Sequence, residues 1–426
     1  MGLYRRLLST PALPWRVRKG FEHWTETRCR IHHAGLYRWL HFGEIRERVT
    51  AVTSGPKHHF FGYYDKSPWN AAGSLLLAHE VPFNDRAPTA DDSASVGVVR
   101  LRDRHRFEAL GVARCWNWQQ GAMLQWNPRA PDREFFYNDR RDGRFVAVLH
   151  DVHGKELRIY EKPLYAISPD GKTACSLNFA RLHALRPGYG YAGVGDEFSG
   201  DLAPERDGID RIDLTGGGTQ RLVSLAELAA RAPADSVGAA HYVNHVQISP
   251  SGIRLAFFHI WSRDVKTWRT RLYTIRLDGS ELSCVLDASF ISHYDWLDDE
   301  RILVWADKPG TGRHFLLCDQ NQPSVRVVGD HVLTEDGHCS FSPDRAWVLN
   351  DTYPDLYDMR TLMLYRWPDG PRVDLARLHS PKARWWGEIR CDLHPRWRRD
   401  GKAICIDSVH SGERQMYVVD IQDVIA

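Results

Sequence analysis

Three histidines stand at the same distance before three copies of a short turn phrase. His245, His338 and His394 each lie four residues before a turn of the Ser-Pro or Arg-Arg-Asp-Gly type. Imidazole binds metals and transfers protons near neutral pH. If the turns are structurally equivalent, the three side chains converge on one centre. The alternative interpretation is that each histidine only caps its own turn through a hydrogen bond.

A thiol lies close to the last of these histidines. Cys391 and His394 have the Cys-x-x-His spacing, and His338 is followed directly by Cys339. Thiolate and imidazole are ligands that zinc prefers in proteins. This pattern favours a zinc that joins the last two repeats of the chain over a catalytic zinc.

A third group of residues could remove a proton from a sugar acid. Tyr165 precedes a Ser-Pro-Asp-Gly turn and Arg181 follows the next predicted strand, with His183, Arg186 and Tyr189 just beyond. An arginine fork binds a carboxylate, and a nearby tyrosine can serve as base and acid. Such a pair suits β-elimination on a uronic acid. The alternative is an ordinary strand tyrosine beside a surface arginine.

Two further segments, 58–66 and 116–121, are dense in aromatic and polar side chains. Buried histidine, asparagine and glutamine must find hydrogen-bond partners, so this density exceeds what a core needs. Packing between sheets is one interpretation and contact with a sugar is the other. The residues predicted to contact sugar here are His59, Tyr64, Trp118 and Gln120.

The elements that must position these groups are strands that follow a recurring turn. Each copy of the phrase is followed by alternating apolar and polar residues, which indicates a tight turn feeding a β-strand. The copies begin at Ser67, Asn127, Ser168, Ser249, Leu297, Ser342 and Arg398. Repeats of this length predict an all-β, seven-bladed β-propeller over residues 49–426, after a helical extension over 1–48. The strand near 414–421 should pair with the one near 48–52 and close the ring.

The spacing of the phrase is irregular at one place. The interval between Pro169 and Pro250 is much longer than the others, which predicts an insertion at about 182–240. Within it, Ser224 and Glu227 form a capping box that starts a short helix, and Pro233 ends the helix. A long insertion on a rigid scaffold is a usual place for a substrate wall.

Composition narrows the possible partners and compartment. The chain has 426 residues, a net charge of +2 and eight scattered cysteines. We therefore expect no nucleic-acid partner and a reducing, cytoplasmic location. The basic, aromatic segment 1–48 is a poor secretory signal. It either contacts the inner membrane peripherally or packs on the propeller as a cap.

Several motifs together resemble the seven-bladed β-propeller polysaccharide lyases. They are HHFFGYYDKSPW, WNWQQG, YAISPDGKTACSLNFARLHALRPGYGY, DGHCSFSPD and RCDLHPRW. The chain looks most like the ulvan lyases and more distantly like the oligogalacturonate lyases. This resemblance implies catalytic roles for Tyr165 and Arg181. It also implies a structural metal on His338, Cys391 and His394, and no organic cofactor.

The chain departs from those lyases in two ways. Gln119 and Gln120 stand where a catalytic histidine is expected, and a basic segment replaces a secretion signal. Our first hypothesis is a lyase acting on a uronate-containing glycan, with Tyr165 as base and acid, Arg181 neutralising the carboxylate and His245 assisting. The second is a non-lyase protein that binds or processes glycans during surface-polysaccharide assembly at the inner membrane. A scaffolding propeller that binds a protein partner is the third.

Overall fold

The recurring turns organise the chain into seven four-stranded antiparallel sheets, which are the blades of a β-propeller. A computed structural model describes residues 44–103, 105–308, 312–322 and 325–425. The all-β fold with seven blades is therefore confirmed. Most of the extension predicted over 1–48 lies outside the described residues. Among the described residues, no helix is long and apolar enough to cross a membrane.

Every blade takes its strands in chain order from the central channel outward, except the blade that closes the ring. The first blades contain β1 (Val49–Ala51), β2 (His58–Phe60), β3 (Leu75–Val81), β4 (Ala94–Arg100), β5 (Arg106–Ala113), β6 (Gln125–Trp126), β7 (Glu134–Arg141), β8 (Arg144–Asp151) and β9 (Glu156–Tyr160). The middle blades contain β10 (Ala166–Ile167), β11 (Thr173–Ser176), β12 (Gly208–Asp213), β13 (Thr219–Ser224), β14 (Ala240–Ile248), β15 (Arg254–Ser262), β16 (Trp268–Arg276) and β17 (Ser283–Ala288). The last blades contain β18 (Phe290–Trp296), β19 (Arg301–Lys308), β20 (Gly312–Asp319), β21 (Val325–Val328), β22 (Ser340–Phe341), β23 (Trp347–Asp351), β24 (Met359–Arg366), β25 (Arg372–His379), β26 (Arg396–Trp397), β27 (Ala403–Ser408) and β28 (Gln415–Asp420). The helices are α1 (Phe179–Leu185), α2 (Leu225–Ala230) and α3 (Gln422–Ile425), with 3-10 turns at Ala234–Ser236 and Gly387–Ile389.

The ring closes as the sequence predicts. Strand β1 pairs with β28, with Val49 opposite Val419 and Ala51 opposite Tyr417. The two ends of the described chain thus share one blade, which leaves no gap between the first and last blades.

The turn phrase is held by its own side chains. The Ser168 hydroxyl lies 2.6 Å from the Asp170 carboxylate and accepts a hydrogen bond from Thr173 N at 3.0 Å. Gly171 ends the turn with φ +66°, in the left-handed region that glycine adopts without steric cost. Each such turn delivers the chain from an innermost strand into the next strand of its blade.

The predicted insertion is interrupted by two strands of its own blade. Strands β12 and β13 lie within the interval 182–240, so the added segment that precedes them is 177–207. The repeat phrase marks only innermost strands, which is why the sequence did not separate the outer strands from the insertion. The predicted helix start at Ser224 is confirmed, because the Ser224 hydroxyl accepts from Glu227 N at the start of α2.

Buried His79 joins two blades as a neutral side chain. Its Nδ1 lies 3.3 Å from the Phe60 carbonyl, and its Nε2 accepts a hydrogen bond from Ala122 N at 2.9 Å. Burial lowers the pKa of His79 to about 3, so the ring stays neutral and Nε2 keeps its lone pair for Ala122 N.

We therefore expect acid to destabilise the protein through His79. The unfolded chain binds a proton below pH ~6.5 and the folded chain does not, so stability is lost as the pH falls. The free energy of unfolding should drop by up to ~1.4 kcal/mol per pH unit between about pH 6 and 3 from this residue. Urea titrations at several pH values should show a shallower pH dependence for His79→Asn. An unchanged slope in that variant would contradict the assignment.

Candidate metal and substrate site

Four histidines from four successive blades meet in the channel. His245 lies on β14, His293 lies on β18, and His338 and His394 precede β22 and β26. The ring centroids of His245 and His293 are 6.0 Å apart, those of His293 and His338 are 4.0 Å apart, and those of His338 and His394 are 4.4 Å apart. The structure thus brings together the three histidines selected by the turn register.

Tyr63 completes this group from the neighbouring blade. Its ring centroid lies 5.0 Å from that of His394 and 5.2 Å from that of His245, and its hydroxyl hydrogen-bonds to Nε2 of His245. We call Tyr63, His245, His293, His338 and His394 the histidine cluster. Tyr64 lies beside the cluster, and its hydroxyl donates to the Tyr294 carbonyl at 2.8 Å.

Sequence reasoning missed His293 and Tyr63, although both obey the same rule. His293 stands four residues before Leu297, and Tyr63 stands four residues before Ser67. The position four residues before the turn, taken in every copy of the phrase, identifies both residues.

Local backbone irregularity directs these side chains into the channel. The pairing of β14 with β15 shifts register between Asn244 and Gln247, and that of β18 with β19 shifts between Ile291 and Tyr294. His245 has φ +52°. Bulges and left-handed residues of this kind re-aim side chains and concentrate at functional sites.

Two of the histidines and one carboxylate form a set that fits a metal ion. The ligand atoms of His338, Asp392 and His394 all lie within 4.8 Å of one another, and all three residues are buried. Nδ1 of His338 lies 2.8 Å from the Asp351 carboxylate. Nε2 of His338 and Nε2 of His394 are buried without a hydrogen-bond partner among the described residues. Buried unpaired nitrogens with a carboxylate-oriented neighbour are typical of metal-binding imidazoles.

Asp392 takes the place that the sequence assigned to Cys391. The Cys391 side chain is buried with Trp385 and Val409, outside the group of mutually close ligand atoms. Burial raises the pKa of its thiol to about 11. The predicted set of His338, Cys391 and His394 is therefore corrected to His338, Asp392 and His394.

Two guanidinium groups keep Asp392 ionised. Burial alone would raise the pKa of Asp392, but Arg390 at 2.7 Å and Arg360 at 2.7 Å hold it well below its usual range. The carboxylate is thus a permanent anion beside the unpaired nitrogens of His338 and His394.

The imidazoles of His245, His293 and His394 are held neutral. Burial, followed by the neighbouring histidines, lowers the pKa of His245 and of His394 well below the usual value. Burial also lowers the pKa of His293. A neutral imidazole has a lone pair for a metal or for a proton, which is the form that both chemistries need.

Two residues of the insertion, Arg186 and Tyr189, lie beside the cluster, and the Tyr189 ring centroid is 5.7 Å from that of His245. The Arg186 guanidinium lies 3.6 Å from the ring centroid of Trp268 and 5.4 Å from that of Tyr189. Its Nη1 is buried without a hydrogen-bond partner in the described part of the chain. Arg390 donates to the Tyr189 hydroxyl at 2.7 Å. Arg186 is therefore a guanidinium beside the cluster that has a donor available to a carboxylate.

Tyr165 is more buried than its predicted role as base and acid in elimination requires. It is fully buried, and its hydroxyl accepts from Gln120 Nε2 at 2.7 Å and donates to Asn244 Oδ1 at 3.2 Å. Burial raises the pKa of Tyr165 well above its usual value, which opposes formation of a phenolate base. Its contact with Asn244 instead fixes the backbone next to His245.

Arg181 does not meet Tyr165 and is committed to the insertion. Asn178 caps α1, which turns the chain where a continuing strand was expected, and Arg181 follows in the first turn. The donors of its guanidinium reach one carboxylate and four carbonyls, at Asp196, His241, Phe198, Asp201 and Leu202. With its donors used in this way, Arg181 anchors the loop and is not free to neutralise a substrate carboxylate.

The other predicted sugar contacts are divided between packing and a small surface hollow. His59 hydrogen-bonds to Gln415 and Glu80, and it lies away from the histidine cluster in the packing of the first and last blades. Trp118 donates to the Arg86 carbonyl and packs on Phe60. Trp118 and His183 also line one hollow with Glu388.

The fold and the site together define a seven-bladed propeller with a candidate metal centre on its axis. No protein-family model and no curated protein matches the chain. The structure is similar to an oligogalacturonate lyase from Vibrio parahaemolyticus, with a TM-score of 0.63 and 13% identity over 90% of this chain and 96% of that one. It is also similar to an oligogalacturonate lyase in complex with manganese, with a TM-score of 0.63 and 16% identity over 87% of this chain and 92% of that one. At these identities the likeness establishes the fold alone.

Proposed function

We propose that the protein is a carbon–oxygen lyase that performs β-elimination on a uronate-containing oligo- or polysaccharide. The observation that carries the proposal is the histidine cluster, bordered by a guanidinium with a free buried donor at Arg186. Such a site offers a neutral base and a cation to the same carboxylate-bearing sugar. The likeness in fold to two oligogalacturonate lyases supports the same class of reaction.

A divalent cation fits this site. His338, Asp392 and His394 would hold it, and the cation would supply Lewis acidity toward the uronate carboxylate. Imidazole and carboxylate donors suit zinc and manganese, and the thiolate that favours zinc specifically is missing from the group. We retain zinc as one candidate and add manganese, which one of the similar lyases contains.

The protein side chains divide the work of elimination. Arg186 binds the uronate carboxylate, which makes the proton on the adjacent carbon more acidic. His245 is neutral and takes that proton at a ring nitrogen. Its Nε2 is held by the hydrogen bond with the Tyr63 hydroxyl, which orients the ring. The C–H electron pair becomes the new C=C bond as the neighbouring C–O bond breaks. Tyr189 gives a proton to the departing oxygen. The cycle closes when His245 releases its proton to solvent and Tyr189 regains one from solvent.

The test is a search for the unsaturated product by ultraviolet absorbance, using uronate oligosaccharides of several compositions. Arg186→Met should lower kcat/KM by about 100-fold or more, because the charge that develops in the transition state loses its partner. Arg206→Met is the matched control, since Arg206 is an exposed insertion arginine that packs on Phe198. Equal activity in both variants would sink the proposed role of Arg186.

The second hypothesis, a glycan-binding protein without lyase activity, makes a different prediction. Oligosaccharide binding without any ultraviolet signal, in metal-loaded protein, would favour it and overturn the lyase proposal. We also propose that the protein is cytoplasmic and that residues 1–48 contact the inner membrane peripherally. Deleting 1–43, the part outside the described residues, and measuring the membrane-bound fraction tests that contact.

A further inference from the structure

The opposite end of the channel contains a second cavity. It has a volume of about 190 Å³, is open to solvent and is lined by residues from several blades. Gln247 and Asp295 belong to this lining and lie two residues beyond His245 and His293 on the same inner strands. The cavity is therefore further along the inner strands than the histidine cluster, on the side of the turns.

Two buried oxygens of this lining have no hydrogen-bond partner in the described part of the chain. They are Oδ1 of Asp65 and Oε1 of Gln247. The Gln247 amide is oriented, because its Nε2 donates to the Asp295 carboxylate at 2.7 Å. Its other atom must therefore be an acceptor. Unpaired buried acceptors are costly, so a donor from outside the protein would stabilise this end of the channel.

The charges of the cavity are balanced. Lys66 pairs with Asp65 at 2.6 Å. Asp295 accepts hydrogen bonds from Gln247 and from Phe341 N, and the charge of Arg345 acts on it. Two cations thus face two carboxylates. An ionic ligand would upset this balance, whereas a neutral ligand with hydroxyl groups could both donate and accept.

Arg345 reaches this cavity at the expense of backbone strain. The fourth position of the turn phrase is glycine at Gly171, Gly252 and Gly401, with φ between +66° and +80°. Arg345 occupies the same position with φ +61°. Its guanidinium donates to the Trp296 carbonyl and lines the cavity. A residue kept in a strained conformation where glycine would relax it indicates a use for its side chain.

We infer that this cavity is a second ligand site, for a small uncharged molecule rich in hydroxyl groups, such as one neutral sugar ring. Hydroxyl donors would satisfy Asp65 and Gln247, and hydroxyl oxygens would accept from Lys66 and Arg345. Ile167 and Ile248 offer apolar contacts for the C–H bonds of such a ring. The inference is independent of the proposed lyase activity, because it uses none of the residues assigned to elimination.

Three sugars that share the galacto ring configuration and carry no charge, a negative charge or a positive charge test the inference on the full-length protein. They are D-galactose, D-galacturonate and D-galactosamine, with binding followed by saturation-transfer NMR and isothermal titration calorimetry. We expect D-galactose to bind best, and its affinity to fall at least ~10-fold in Gln247→Leu, which loses an acceptor. Arg345→Gly should weaken binding while keeping or raising the melting temperature, because the strain is relieved. A purely structural Arg345 would instead lower the melting temperature.

Each other outcome overturns the inference. Tighter binding of either charged sugar at this site excludes a neutral ligand, and no binding of any of the three excludes a sugar site. Equal D-galactose affinity in the parent and both variants places the sugar elsewhere. His338→Ala should keep D-galactose binding, so failure of the lyase assay and failure of this inference are separate results.

Discussion

Replacing His338 by alanine is expected to abolish specific binding of a divalent cation. The variant loses one of the two buried unpaired imidazole nitrogens that face Asp392. We expect affinity for zinc and manganese to fall at least ~100-fold, and lyase activity to fall with it. Metal content and calorimetric titration measure the first effect, and ultraviolet absorbance measures the second. The stabilisation of about 2.7 kcal/mol that a ligand gives at 100 times its Kd should also disappear from thermal unfolding.

Two further variants sharpen this result. Asp351→Asn keeps the shape of the group that orients His338 but weakens its hydrogen bond, so metal affinity should fall by about 10- to 100-fold. His331→Ala removes an exposed histidine and should change nothing, since its side chain is 91% accessible to solvent. If the parent protein binds neither metal, the assignment of His338, Asp392 and His394 as ligands is wrong.

Replacing Asp407 by alanine is expected to give a severe loss of stability. Asp407 and Arg396 form a buried ion pair with N–O distances of 2.8 and 3.2 Å. Asp407 also accepts from the backbone N–H groups of Phe61 and Gly62, in the loop that presents Tyr63. Removing the carboxylate leaves a buried guanidinium without its counter-charge and two amides without an acceptor, which should cost about 3–5 kcal/mol.

Urea denaturation measures this loss, and the same blade offers a matched control. Asp423 pairs with Arg48 on the exposed side of the ring closure. Asp423→Ala should therefore have little effect, because solvent-exposed ion pairs contribute little. The double variant Arg396→Met with Asp407→Leu should recover part of the lost stability, since it removes both buried charges. Similar losses in Asp407→Ala and Asp423→Ala would contradict the buried-pair explanation.

Much of the architecture was predictable because short sequence patterns at turns and helix starts determine it. Ser-Pro turns, the capping box at Ser224 and the two strands that close the ring are all short-range patterns with defined backbone geometry. When the repeats are aligned on these turns, His245, His338 and His394 fall at the same position. That part of the site could be predicted because the repeat makes equivalent residues share a position in space.

The errors arise where backbone geometry breaks a simple alternation. Neighbouring residues of an extended chain point to opposite sides, so choosing between Cys391 and Asp392 required the conformation of the segment before β26. His394 has φ +41°, which interrupts the alternation there. Arg181 was misassigned for a related reason. Its partners are mostly backbone carbonyls, and carbonyls leave no trace in the pattern of side chains.

The register position four residues before each turn is occupied differently around the ring. His245, His293, His338 and His394 fill it on one arc, whereas Met123 and Leu164 fill it on two adjacent blades. In every copy this position precedes the same turn near the inner edge of a four-stranded blade, although the local backbone differs between blades. A single substitution in one blade can therefore change which side chain faces the channel while the fold is kept. In a propeller of this kind, evolution or protein design can therefore change the functional site by single substitutions at this position.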